Sequence, residues 1–419
     1  MRLFNVGHCI TRFAGLILES PSLAGLRCVR PASAAVASPP KFTLLPAPSL
    51  AHGEGLPMSL PADNPPPPDP ALPPRPKRRP RYAGKNPRRF EDRYKELAPD
   101  RYADDIAKIL ASGKTPVGTH RPILVAEILE VLAPKPGEVA VDCTLGFGGH
   151  AREILGRLQP GGRLIGLDVD PIEQPKTTER LRAAGFGPET FTAVRSNFAG
   201  LAKVLATQGL AGADCVLADL GVSSMQLDDP ARGFTFKVDG PLDLRLNPQR
   251  SPSAAEFLAQ VTEARLTAVL TNFADEPHAA LLARELARLR QEAPFTRTRQ
   301  LAEALQGILA THGLSRDRDT DQGCIRRVFQ ALRIAINDEL GALEMLLRQL
   351  PSCLNPGGRV AVLTFHSGED RRVKHAFREG QRAGVYSATI EEVIRPGAEE
   401  LRANSRSAPA KLRWAVRAA

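Results

Sequence analysis

Val141-Asp-Cys-Thr-Leu-Gly-Phe-Gly-Gly-His150 reads as a buried strand that runs into a glycine-rich turn. Glycines lack a Cβ, so the backbone there can take left-handed angles and come close to a ligand. The next apolar run, Arg163-Leu-Ile-Gly-Leu-Asp-Val-Asp170, carries Asp168 at the tip of a second strand. Gly148 and Asp168 are about twenty residues apart, the offset of a nucleotide-binding βαβ unit whose carboxylate accepts hydrogen bonds from ribose hydroxyls. The glycines depart from G-x-G-x-x-G, and Asp142 stands just before them. Pyrophosphate prefers a helix N-terminus without nearby negative charge. A carboxylate in that place suits S-adenosylmethionine better, because its amino-acid end carries an ammonium group.

Further along, Cys215-Val-Leu-Ala-Asp-Leu-Gly-Val-Ser-Ser224 is a short apolar strand breaking into a loop of small residues, with Asp219 at its carboxyl end. Arg359-Val-Ala-Val-Leu-Thr-Phe365 follows the turn signal Asn355-Pro-Gly-Gly358 and opens onto His366-Ser-Gly-Glu-Asp370. Buried strands alternating with helical patterns predict an α/β fold, a Rossmann-like doubly wound sheet with ligands outside its strand ends. Between the fourth and fifth strands, residues 229–321 form a long insertion. Ser253 to Asn272, His278 to Glu292 and Thr298 to Thr311 show apolar residues at helical spacing, and Ile325 to Leu350 reads as one long amphipathic helix returning to the sheet. Ser251-Pro252 and Thr298 are the expected helix starts. The boundaries expected are an extension over 1–114, a sheet domain over 115–228 and 322–419, and an inserted helical lobe over 229–321.

The net charge of +10 is not spread evenly. Residues 1–95 hold 15 Lys and Arg against 6 Asp and Glu, whereas the remainder holds 41 against 40. The body of the protein is therefore not a globally basic nucleic-acid binder, and an RNA site on it must be a local patch. The extension is acid-poor to about Pro57, where a targeting segment and a true start at Met58 are both open readings. It is proline-dense over Pro65 to Pro80 and expected to be disordered. From Arg81 to Tyr94 it is basic with interleaved aromatics, as in segments that grip irregular RNA. Six scattered cysteines without a C-x-x-C pair predict a reducing, cytoplasmic setting and no zinc site. No apolar run is long enough for a membrane span.

Beyond these readings, the chain resembles the MraW/RsmH family of S-adenosylmethionine-dependent ribosomal RNA methyltransferases, from about Thr119 onward. The resemblance is carried by Thr119-His-Arg-Pro-Ile-Leu124, Gly148-Gly-His150, Leu217-Ala-Asp-Leu-Gly-Val-Ser-Ser224, Gln226-Leu-Asp-Asp-Pro-Ala-Arg-Gly-Phe-Thr-Phe236 and Asp239-Gly-Pro-Leu-Asp-Leu-Arg245. Phe295-Thr-Arg-Thr298, Phe329-Gln-Ala-Leu-Arg-Ile334, Thr364-Phe-His-Ser367 and Glu369-Asp-Arg371 complete it. It implies methylation of the exocyclic N4 of a decoding-centre cytidine. It also implies cofactor contacts at Gly148, Gly149, His150, Asp168, Phe198, Asp219 and Gln226. The partners it implies are small-subunit ribosomal RNA or the 30S particle, with no membrane and no metal; a homodimer is a further candidate assembly. Cys143, Met225, Asn272-Phe-Ala-Asp-Glu276 and Gly368 depart from the family's pattern.

Methyl transfer needs an in-line nucleophile and a well-oriented donor, with little covalent help from protein. Asp219 is the candidate catalytic residue, as acceptor for the N4 protons. Phe234, Phe236 and Phe365 are candidates to stack the base, with His366 beside them. Arg232, Lys237, Arg245, Arg371, Arg372 and Lys374 are candidates for phosphate contacts. Two alternatives remain at this level: another S-adenosylmethionine-dependent RNA or small-molecule methyltransferase, and a ribosome-assembly or RNA-binding module without catalysis. The chain has no Asp/Asn-Pro-Pro-aromatic block, as common amino-methylating enzymes do.

Overall fold

A computed structural model describes residues 122–419; the expected extension over 1–114 lies outside the described residues. The chain enters through α1 (Val125–Leu132) and alternates regularly: β1 (Val139–Asp142), α2 (Gly149–Leu158), β2 (Arg163–Asp168), α3 (Glu173–Ala183), β3 (Phe191–Arg195), α4 (Leu201–Thr207) and β4 (Ala213–Asp219). A short α5 (Ser224–Asp228) leads to the helices α6 (Ala254–Gln260), α7 (Glu263–Ala274), α8 (Ala279–Glu292), α9 (Thr298–Thr311) and α10 (Arg318–Asn337). The chain then returns to the sheet through α11 (Glu339–Cys353), β5 (Leu354–Thr364), α12 (Ser367–Arg382), β6 (Tyr386–Thr389), α13 (Ala398–Ala403) and β7 (Lys411–Arg417).

The seven strands lie in the order β3-β2-β1-β4-β5-β7-β6. The first five are parallel to their neighbours, and β7 runs antiparallel between β5 and β6. Strands this apolar are buried on both faces, and their side chains sort by parity. Val141, Ile165, Val216, Val360 and Val362 pack with α4, α11 and α12. Their neighbours Ala140, Leu164, Cys215, Ala361 and Leu363 pack with α1 and α2 on the other face. The order reverses between β1 and β4, the switch point at which an open α/β sheet leaves a crevice.

The helices between β4 and β5 build a core of their own from residues such as Leu258, Leu266, Leu282, Leu305 and Val328. Two long periodic stretches are broken where one helix each was expected. Ser253 to Asn272 divides at Val261 and Thr262. Thr262 takes an extended conformation and its side chain accepts from Arg265 N–H, starting α7 afresh. Ile325 to Leu350 divides at Asp338, which has a left-handed φ of 49°. Asn337 accounts for this break: its amide accepts from Leu246 N–H and donates to Leu244 O and Arg333 O, pulling the chain onto the insertion. Ser253, not Ser251, caps α6, in a reciprocal capping box with Glu256. α9 begins at Thr298 as expected.

Candidate active site

The carboxyl ends of β1, β2, β4 and β5 open at one edge of the sheet, and a cleft of about 490 Å³ lies there. Gly148, Gly149, His150, Asp168, Phe198, Asp219 and Gln226 all line it, so the residues singled out along the sequence come together. Space demands the two glycines. Gly148 has φ +79°, and a Cβ there would sit 2.8 Å from Thr177 Cγ2; a Cβ on Gly149 would collide with the ring of Pro122.

Asp168 is held by the turn it faces. Its Oδ2 accepts from Gly146 N–H at 2.7 Å and its Oδ1 from Asp170 N–H at 2.8 Å. Each oxygen keeps capacity for a further donor. Burial pushes this carboxyl up to about 6. Asp142, expected to face an ammonium group, is 1% exposed and sits behind the cleft wall. Its Oδ1 is taken by Thr144 N–H at 3.0 Å, and burial pushes it up to about 6. It acts on the cleft through its field and through the turn, not by contact.

Asp219 ends β4 with its backbone N–H held by Thr144 Oγ1 at 2.7 Å, and its side chain remains 29% open to the cleft. Burial, reinforced by the nearby Glu369, pushes its carboxyl up to about 7. His150 Nδ1 lies 3.5 Å from Asp219 Oδ2, and His150 Nε2 lies 3.0 Å from Ile123 O. Burial lowers the histidine's basicity against the pull of Asp142.

Gln226 is largely committed to structure. Its Oε1 accepts from Ser223 N–H at 2.9 Å, closing a capping box on α5, and its Nε2 donates to Asp170 Oδ2 at 2.7 Å. One amide hydrogen remains for a ligand. Arg232 joins this knot. Its guanidinium is buried against Asp170 Oδ2 at 2.8 Å and donates to the carbonyls of Arg245 and Leu246. It is therefore not a phosphate contact, because its side chain is buried in this knot.

Two of the aromatic expectations are corrected as well. Phe234 is 5% exposed in the core of the insertion, and Phe236 packs on Phe329 at 5.3 Å. Of the three aromatic candidates only Phe365 lines the cleft. Arg245 is bound by both oxygens of Asp243, Arg372 pairs with Glu344, and Arg371 reaches Asp275 at 3.6 Å. Lys237 and Lys374 have no ion-pair partner among the described residues. The departing block ending in Asp275 and Glu276 has a structural use. Asp275 terminates α7, and buried Glu276 holds Arg327 at 2.7 Å.

Sequence reading passed over Arg333, Asn337, Glu339 and Glu369, which wall the far side of the cleft. Arg333 is gripped by both oxygens of Glu339 at 2.9 Å. Glu369 accepts from Phe365 N–H at 2.8 Å and lies 3.2 Å from His366 Nε2. Burial alone would raise the Glu369 carboxyl, but these contacts and Arg333 hold it below its ordinary value. The signal for them was the polar face of α10 and the charged pair after Phe365. Among the described residues no group of three His, Cys, Asp or Glu is placed to hold a metal ion. None of the described helices is long and apolar enough to cross a membrane.

A sequence profile of the MraW methylase family matches residues 118–418. The ribosomal RNA small subunit methyltransferase H 1 of Lachnoclostridium phytofermentans is 48% identical over 343 residues, covering 82% of this chain and 93% of that relative. The ribosomal RNA small subunit methyltransferase H of Thioalkalivibrio sulfidiphilus is 42% identical over 325 residues, covering 74% of this chain and 100% of the relative. Among solved structures, an rRNA methylase from Streptococcus thermophilus overlays with a TM-score of 0.32 at 11% identity, covering 70% of this chain and 94% of the other. With a profile match over residues 118–418 and relatives 42–48% identical over nearly their whole length, this chain belongs to the MraW methylase family.

Proposed function

We propose that this protein uses S-adenosylmethionine to methylate the exocyclic N4 of a decoding-centre cytidine in small-subunit ribosomal RNA, in the cytoplasm, on free RNA or the 30S particle. Family membership supports the reaction class, and the names of its relatives support the RNA. The observation that carries the reading is the convergence of Asp168 and Asp219, at the tips of β2 and β4, in one cleft with Phe365.

The residues fit the cofactor. Asp168 keeps an accepting site on each oxygen for two neighbouring ribose hydroxyls, and Gly148 and Gly149 leave a backbone cradle that side chains would fill. Phe198 offers a ring for the adenine. When bound, S-adenosylmethionine supplies an activated methyl group on a cationic sulfur. The rest falls to the chain. A cytosine N4 amine is a poor nucleophile because its lone pair is delocalised into the ring. Asp219 accepts a hydrogen bond from N4–H and returns electron density to nitrogen. Phe365 gives the extruded base a face to stack on. The cleft would hold donor and acceptor together and limit water.

Nucleoside mass spectrometry of small-subunit RNA tests this directly. RNA from cells lacking the protein should lose N4-methylated cytidine and regain it on incubation with purified protein and S-adenosylmethionine. Methylation of another base, or at another atom, would refute the N4 assignment.

A further inference from the structure

We infer that His150 and Asp219 form a single proton-holding pair, emptied when the cationic cofactor settles beside it and refilled by the proton that leaves N4 during methylation. This rests on the cofactor and acceptor proposed above, and it makes His150 a partner in proton transfer as well as part of the cofactor wall.

The geometry brings two proton-binding atoms together. His150 Nε2 lies 3.0 Å from Ile123 O, and a carbonyl oxygen can only accept. The Nε2 atom therefore carries a hydrogen, and a neutral ring presents a lone pair at Nδ1. That lone pair faces Asp219 Oδ2 at 3.5 Å. A proton on either atom would lie between the imidazole and the carboxyl, at the outer limit of hydrogen-bond distance. The histidine is 8% exposed, which leaves little room for water to relieve the contact.

The surroundings hold that proton in place. Asp142 on β1 faces both members, Glu369 on α12 faces Asp219, and Glu153 and Glu400 act on His150. Asp168 adds to the field through Asp142. Arg333 stands beyond Glu369, already gripped by Glu339. The groups facing the pair are thus carboxylates. Burial places the Asp219 carboxyl at about 7, so the proton is poised near neutrality.

A sulfonium beside this pair reverses the field. Positive charge favours the Asp219 anion, so the proton departs as the cofactor binds. The anion is then free to accept from N4–H. In the transfer, the N4 lone pair forms the bond to the methyl carbon. The carbon–sulfur bond breaks with its electron pair on sulfur, and N4 is left with one proton too many. That proton passes to Asp219 Oδ2, where His150 Nδ1 shares it. The sulfur is now neutral, so the pair can hold its proton again.

The charge on sulfur separates substrate from product, and calorimetry can read the difference without turnover. Binding to the full chain would be measured at pH 6.5 in buffers of different ionisation enthalpy, with S-adenosylmethionine and with S-adenosylhomocysteine. The two ligands share the α-amino group, so its contribution cancels. The expected result is release of about one half to one proton per S-adenosylmethionine, little or none with S-adenosylhomocysteine, and a fall toward zero by about pH 9. Asp219→Asn and His150→Gln should each abolish the difference between ligands. Equal proton counts for the two ligands, or a difference that survives in either variant, would overturn the pair and leave the cofactor assignment standing. Absence of binding by the parent protein would overturn that assignment and the inference with it.

Discussion

Asp168 and Asp219 are both half-buried carboxyls at strand tips, but what they can offer a ligand differs. Asp168 is tied on each oxygen by a backbone N–H, so it is oriented before any ligand arrives. Asp168→Ala should weaken S-adenosylmethionine binding by roughly 1–3 kcal/mol, the scale of lost hydrogen bonds to a charged group. Unchanged affinity by calorimetry would remove it from the cofactor site. Asp219 is the less constrained of the two. In Asp219→Asn, only a neutral acceptor is left for N4–H, and turnover at saturating cofactor and RNA should fall about ten- to a thousandfold. Weaker cofactor binding with parental turnover would make it a cofactor ligand only. The same variant should change stability with pH. The folded Asp219 carboxyl is raised from 3.8 to about 7, so the folded state binds its proton more tightly than the unfolded state. The stability this contributes is full below about 3.8 and is lost as pH rises through about 7. Above that, the parent carries an unfavourable buried charge that the amide lacks. Ligand-free Asp219→Asn should therefore be more stable than the parent at pH 8 by on the order of 1–3 kcal/mol. Thermal melts at pH 5 and pH 8 read the difference, and equal shifts at both would contradict it.

At the scale of elements, the β2 tip and the start of the insertion meet in one buried knot. Asp170 is fully buried and accepts from Ile172 N–H, Gln226 Nε2 and Arg232 NH1. Arg232 then holds the carbonyls of Arg245 and Leu246, and Leu246 lines the cleft. The strand that carries Asp168 is thereby joined to the part of the cleft wall that holds Leu246. Removing one member of a buried ion pair leaves the other uncompensated. Arg232→Met should cost about 3–5 kcal/mol in urea unfolding, and adding Asp170→Asn should restore at least about 1 kcal/mol of it. A double variant no better than the single would show that packing, not charge, dominates there. Strands β1, β2, β4 and β5 were legible because each is a short apolar run closed by a turn signal or a carboxylate. The breaks in the two long helical patterns were not, because apolar periodicity continues across Val261 and Asp338. At Asn337 a side-chain contact with residues far along the chain stops the helix, and at Thr262 a local cap starts a new one.

For the whole molecule, the asymmetry of charge separates a near-neutral body from a basic N-terminal region. A chain beginning near Tyr102 should melt as cooperatively as the full protein, and its turnover at saturating RNA should be unchanged. Its RNA affinity should depend less steeply on salt, because fewer phosphate contacts release fewer counterions. Loss of cooperative melting would make the removed residues part of the fold. The sequence by itself determined the α/β class, the glycine turn and the two strand-tip carboxylates. These are local matters: a period of two, a residue without a Cβ, a polar group closing an apolar run. Only the tertiary structure decided which polar residues face the cleft. Arg232 and Phe234 look available along the chain and are buried inside it. Glu369 and Arg333 look like ordinary helix charges and stand at the cleft wall. Exposure and partnership are set by elements packed together from distant parts of the chain, and a linear pattern carries no record of them.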